Sequence, residues 1–252
     1  MESHEVARYV TPLREGGSLP AIVETASGEL FVAKFRGAGQ GAKALVAEIV
    51  AGEIGRALGL RVPEVALLDL DAGIGRAERH DEIRDLLLAS VGTNVGLAYL
   101  PGALMYDPAA AVEVDGATAS NIVAFDALVM NVDRTARNPN LLWCASELWL
   151  IDHGASLYFQ HDWDGSSTGA DRPFTLVAQH VLLRAADALD EAAIAMRSAI
   201  DEPTLRRILA DVPDALLPED PERWREAYVQ YLLTRVSATD IFIAEAKRAR
   251  GV

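Results

Sequence analysis

Short apolar runs broken by Gly and Ser open the chain, and apolar positions at helical spacing take over after residue 42. Residues 6–11, 19–25 and 30–36 are rich in Val, Ile, Tyr and Phe and are parted by Gly16-Gly17-Ser18 and Ser27-Gly28, which predicts three short strands of a small antiparallel sheet. Leu45, Ile49, Ile54 and Leu58 then recur near helical spacing over 42–59, a stretch that stops at Gly59, a fitting C-terminal cap. The pattern continues with a strand over 65–70, a helix over 81–91 and a strand over 95–100 that closes on Pro101-Gly102. From about 118 it is helical again through S-N-I-V-A-F-D-A-L-V-M, breaks at the polar stretch N-V-D-R-T-A-R-N-P-N, and resumes as a strand pair over 139–144 and 147–151. Residues 174–248 are mostly helical, and G-S-S-T-G-A-D at 165–171 reads as the most flexible interior segment. The expected class is α+β, with a sheet-rich part over 1–100 and a helical part over 101–252.

Composition narrows the functions. Half of the 252 residues are apolar, enough for a substantial core, and a net charge of −14 argues against a sequence-independent grip on nucleic acid, which needs clustered Lys and Arg. Cys144 is the only cysteine, so an internal disulfide and any multi-thiolate metal site are excluded. The five His show no zinc spacing. No stretch reaches the roughly 18 uninterrupted apolar residues of a spanning helix, and the first residues lack a leader pattern, so no membrane role and a cytoplasmic location are expected.

Two sets of residues could hold a nucleotide. Gly37-Ala38-Gly39-Gln40-Gly41-Ala42 satisfies G-x-G-x-x-A between a strand and a helix. A dinucleotide fingerprint, however, needs a buried parallel strand before it and an acidic residue about 20 residues on; here the strand carries Lys34 and a hairpin partner, and Asp69 and Asp71 come late. The second set is dispersed. Alternation puts Val32 and Lys34 on one face of their strand, where a lysine calls for an anion, and Glu48 or Glu53 on the next helix could pair with it. Asp133 and Asn138 have the spacing of a base and a metal-binding amide in a kinase catalytic loop, and Asp152-His153-Gly154 follows a strand pair where a second metal ligand is required. Hard oxygen donors, a base and a cation together suit phosphoryl transfer. Arg134 and Arg137 read equally well as structural salt bridges, and His161 and Asp162 as structural residues.

The D-R-x-x-x-N form at 133–138, with L-I-D-H-G at 150–154 and Y-L-P-G at 99–102, resembles the HipA-like kinases, a group related to the phosphatidylinositol kinases, over about Gly16 to Phe159. The resemblance implies a bilobal protein-kinase-like fold with a small antiparallel-sheet N-lobe and a mostly helical C-lobe. It implies an ATP- and Mg-dependent phosphotransferase with Asp133 as base, Asn138 and Asp152 as metal ligands, and Lys34, supported by Glu48, on the nucleotide phosphates. Leu97, Tyr99 and Leu100 would border adenine, and the backbone of Gly17 and Ser18 would cover the phosphates. Thr135 stands where many relatives carry His, and His153 where Phe is usual. The expected acceptor is a hydroxyl, with protein Ser/Thr favoured; a small-molecule acceptor and a nucleotide-binding pseudokinase are the alternatives. Ser166, Ser167 and Thr168 lie where an activation segment would run, which predicts slow autophosphorylation there.

Overall fold

The structure, a computed structural model, describes residues 1–13, 19–39, 41–110 and 113–251. Gly17 and Ser18 lie outside them. Five strands close into a barrel. They are β1 (Ser3–Pro12), β2 (Ala21–Thr25), β3 (Leu30–Lys34), β4 (Val65–Leu70) and β5 (Gly92–Ala98), in the order β1-β2-β3-β5-β4. The expected antiparallel sheet needs one correction: β1 runs parallel to β4, with Ser3 opposite Leu67 and Glu5 opposite Asp69, and this pairing closes the sheet. Closure removes the free strand edges that an open five-stranded sheet would expose. Val6, Val23, Phe31, Ala33, Ala66 and Leu68 are buried within one core, which Leu87 joins from a helix α2 (Asp81–Ala89). At Gly96 a Cβ would come within 2.6 Å of Leu68 Cδ1 and 3.1 Å of Phe31 Cβ, so a side chain there would make the buried Leu68 shift.

The helix α1 (Gly41–Ala57) follows β3. Leu45 through Gly52 are all buried, because α1 lies between the barrel and the helices of the second half. A Cβ on Gly55 would stand 3.1 Å from Val62 and 3.4 Å from Phe125, so its absence lets α1 approach a second buried helix, α3 (Gly116–Val129). Asp115 caps α3 by accepting from Thr118 N at 2.9 Å, and Met130 ends it in the left-handed region. A second sheet joins β6 (Leu104–Met105), β7 (Leu141–Cys144) and β8 (Glu147–Leu150). Beyond it come α4 (Leu189–Ala199), α5 (Glu202–Ala210), α6 (Pro221–Ser237) and α7 (Thr239–Arg250). The larger core runs from α1 and β5 through α3 to these helices. Among the described residues no helix is long and apolar enough to cross a membrane.

Candidate active site

Lys34 ends β3 on the outward face that alternation predicts, since Phe31 and Ala33 take the inward positions. Its side chain is only 10% exposed and its Nζ lies 2.6 Å from Asp152 Oδ1. Burial alone would lower the ammonium pKa, but Glu48, Asp152 and Asp133 together outweigh it and raise it, so the lysine stays charged. The direct partner of Lys34 is thus Asp152, which corrects the expected pairing with Glu48 or Glu53. Glu53 turns to Arg56 at 3.5 Å. Glu48, buried in the middle of α1, accepts instead from the His153 backbone N–H at 3.1 Å, and the His153 ring Nδ1 lies 3.4 Å from the same oxygen. Its other oxygen, Oε2, is buried without a hydrogen-bond partner.

Asp133 sits in the turn after α3. Its carboxylate accepts from Asn138 Nδ2 at 2.7 Å and from Asn140 Nδ2 at 3.3 Å, so the five-residue spacing does bring base and amide together. Burial raises the Asp133 pKa and the Asp152 charge adds to it, against the two amide donors. Asp152 itself has φ +55, an uncommon conformation for a residue other than glycine and one often found at functional sites.

What holds this loop lies beneath it. Arg134 is 1% exposed; its Nε donates to Asp126 Oδ2 at 2.5 Å and its Nη1 donates to the carbonyl of Asn140. Asn131 bridges the same Asp126 to the Asp133 backbone, with hydrogen bonds of 3.0 Å on each side. His180 Nε2 completes the set at 2.8 Å from Asp126 Oδ2, and because Leu182 N–H donates to Nδ1 at 3.0 Å, the proton belongs on Nε2. Burial by itself would raise the Asp126 pKa, but Arg134 and His180 hold it down to about 2. Arg134 is therefore a structural ion pair. Sequence reasoning missed Asp126, Asn131, Asn140 and His180. Asp126 alone carried a signal, being the one charge inside an apolar helix, where a carboxylate must find a partner.

Lys34, Glu48, Asp133, Asn138 and Asp152 line one cavity of about 210 Å³ together with Ala38, Gly39, Gly41 and Gly154. Five residues from four separate stretches of the chain converge. The glycine-rich motif after β3 is not a dinucleotide fingerprint, since β3 pairs antiparallel with both β2 and β5; its Ala38, Gly39 and Gly41 wall this cavity instead. Leu97 faces the same side as Lys34 through its pairing with Val32, but neither it nor Tyr99 nor Leu100 borders the cavity. The Tyr99 N–H is already committed to Leu30 O at 2.9 Å. A larger groove of about 490 Å³ beside β1 carries Glu5, Arg8 and Glu78 without a comparable set of groups. Among the described residues no three His, Cys, Asp or Glu are arranged to hold a metal alone. Asp152 and Asn138 nevertheless fit a magnesium ion, which takes hard oxygen donors and commonly rests on one or two side chains plus substrate phosphates. The amide nitrogen of Asn138 is used by Asp133, which leaves its oxygen for a cation.

The segment after Asp152 does not lie free. Phe159 stacks on Tyr231 at 3.6 Å, Trp163 packs against Tyr228 and Trp224, and the Trp163 indole donates to Ser166 O at 2.7 Å. The segment 165–171, expected to be flexible from its composition, thus lies beside an aromatic cluster on α6 that its own sequence does not contain.

No curated protein matches the chain. Among solved structures it is similar to the Helicobacter pylori proinflammatory kinase CtkA, at 15% identity and a TM-score of 0.62 over 99% of this chain and 98% of that one. It is also similar to a Golgi casein kinase solved with Mn and ADP, at 11% identity and a TM-score of 0.56 over 100% of this chain and 75% of that one. At these identities the likeness establishes a kinase-like fold. The family itself is established by a sequence model described as HipA-like kinase, which matches residues 6–242. The chain belongs to the HipA-like kinase family.

Proposed function

We propose that this protein is an ATP- and Mg-dependent phosphotransferase acting on a hydroxyl acceptor, with protein Ser/Thr favoured by the family. The observation that carries the proposal is the convergence of Lys34, Asp133, Asn138 and Asp152 on one cavity. In this reading residues 1–100 form a nucleotide-binding lobe and 101–252 a catalytic lobe. The cavity is smaller than the roughly 300–1,000 Å³ of a whole-ligand pocket, which suits the phosphate end of a nucleotide. Adenine then lies toward Leu97–Leu100, along the outward face shared with Lys34. Asp152 and Asn138 would hold the magnesium, which would neutralise phosphate charge when bound. Lys34 contributes a cation to the phosphates, and Asp133 takes the proton of the acceptor hydroxyl. The relative solved with Mn and ADP supports the use of a divalent ion and a nucleotide.

Purified protein with Mg and ATP is expected to bind nucleotide and to release ADP in the presence of a suitable acceptor, either a protein or, as the alternative, a small molecule. Absence of both nucleotide binding and ADP release across an acceptor screen would refute the enzyme reading. Asp152→Ala is expected to abolish the magnesium dependence of nucleotide binding, measured by titration calorimetry with and without the metal; an unchanged Mg-ATP affinity would remove Asp152 from the ligand set. For Lys34→Met we expect a folded protein with turnover reduced on the order of 10²-fold, as for loss of one preorganised charge donor. Wild-type turnover would leave Lys34 without a catalytic part.

A pseudokinase reading draws on one feature, the closure of Lys34 onto Asp152 rather than onto Glu48. It predicts nucleotide binding with no transfer to any acceptor.

A further inference from the structure

The N-terminus of α1 is tied to the segment that follows Asp152 by a reciprocal set of hydrogen bonds. Gln160 lies in the short helical turn Tyr158–Asp162 and is 2% exposed. Its Nε2 donates to the Lys43 carbonyl at 3.0 Å, while Lys43 Nζ donates back to the Gln160 carbonyl at 2.6 Å. The remaining amide oxygen of Gln160 accepts from the Tyr228 hydroxyl on α6 at 2.8 Å. That hydroxyl is buried, which drives its pKa upward. Both polar ends of a buried side chain are therefore satisfied, one by α1 and one by α6.

Glu48 lies five residues beyond Lys43 on the same helix and makes the second contact between α1 and this segment, at His153. Alpha-helical rise puts the two contacts about 7.5 Å apart along α1. These two contacts add to the packing of α1 against the barrel and α5 and tie the helix to the segment after Asp152 at two separate points. Without the Gln160 side chain, Lys43 Nζ keeps the Gln160 carbonyl, but the link from the Lys43 carbonyl through the Gln160 amide to Tyr228 on α6 is lost.

We propose that Gln160 is a positioning residue: by joining α1 to the segment after Asp152 and to α6, it fixes Glu48 and Asp152 in one geometry without touching nucleotide or acceptor. This rests on the phosphotransferase reading, but the clamp can be tested apart from it. Tyr228, Lys43 and Gln160 do not border the cavity, so substitutions at Gln160 change no group that meets a substrate.

The experiment compares the full-length wild type with Gln160→Leu, Lys43→Met and the double variant, by hydrogen exchange and by steady-state kinetics with Mg-ATP. In Gln160→Leu, amides of residues 43–50 and 153–157 are expected to exchange about tenfold faster at a retained melting transition. The kcat is expected to fall about tenfold with KM for ATP within about twofold, because orientation and not binding is lost. The double variant should lose less than the product of the two single losses, since both residues serve one network. Unchanged exchange in α1 would overturn the clamp, and faster exchange with an unchanged kcat would overturn the positioning role. Multiplicative losses in the double variant would show that the two residues act separately, against the proposal. If the wild type shows no turnover, the phosphotransferase reading fails first, and the clamp stands or falls by exchange alone. Should Gln160→Leu not fold, Gln160→Glu is used: it keeps the acceptor for Tyr228 but loses the donor to Lys43, and exchange confined to α1 is then the expected result.

Discussion

Asp133→Ala is expected to lower phosphotransfer by about 10²–10⁴-fold while leaving Mg-ATP affinity within a few-fold of the unaltered protein. The asymmetry follows from where Asp133 sits. Its carboxylate is held by the side chains of Asn138 and Asn140 and lines the same cavity as Lys34, and in the proposed reading it receives the proton of the acceptor. Burial and the nearby Asp152 charge raise its pKa above the usual 3.8, which makes it a better proton acceptor. The acid limb of kcat/KM in the wild type should accordingly fall above the range of an ordinary aspartate and should vanish with the carboxylate. Equal losses of affinity and turnover in the variant would move Asp133 from the acceptor to the nucleotide, and a variant with wild-type turnover would end its assignment as base.

Arg134→Met should destabilise the fold by about 3–5 kcal/mol, the usual result of removing one partner from a buried ion pair. That is a large part of a typical total of about 5–15 kcal/mol. The loss is large because Asp126 is fully buried and would be left with only His180 and the Asn131 amide to meet it. The pH dependence has a definite sign. The Asp126 carboxyl is held at about 2 in the folded chain against a usual 3.8, so the unfolded state binds the proton more readily. This group therefore stabilises the fold above about pH 4, and its contribution is lost as pH falls toward 2. In Arg134→Met that acid-sensitive component should shrink. Urea unfolding at several pH values measures both effects. A variant within about 1 kcal/mol of the wild type at pH 7 would show that the network contributes little to the fold.

Arg134 also illustrates how far local pattern can be read. The order of Lys34, Asp133, Asn138 and Asp152 along the chain was visible because each has a fixed offset from a strand end or a turn, and those offsets are local properties of backbone geometry. The strands and helices were legible for the same reason: alternation reports a half-buried strand, and apolar residues at helical spacing report a helix, within a few residues at each end. Most of the support for the loop was not legible. Asn131 and Asn140 look like ordinary turn formers, and His180 lies 54 positions from the carboxylate it meets.

By itself, then, the sequence determined the element types, the α+β class, the family pattern of D-R-x-x-x-N and D-H-G, and the side of β3 on which Lys34 stands. Those follow from the periodicity of short segments and from the chemistry of residues at fixed spacing. Only the tertiary structure decided that β1 closes the sheet by pairing parallel with β4, that Lys34 meets Asp152 while Glu48 meets His153, that Ala38, Gly39 and Gly41 wall the cavity, and that Arg235 on α6 meets the carbonyl of Ala170. Each of these is a contact between residues far apart along the chain. Such contacts are selected by the burial and hydrogen bonding of the whole fold, with alternatives of similar local energy available at every step, so no local pattern encodes them.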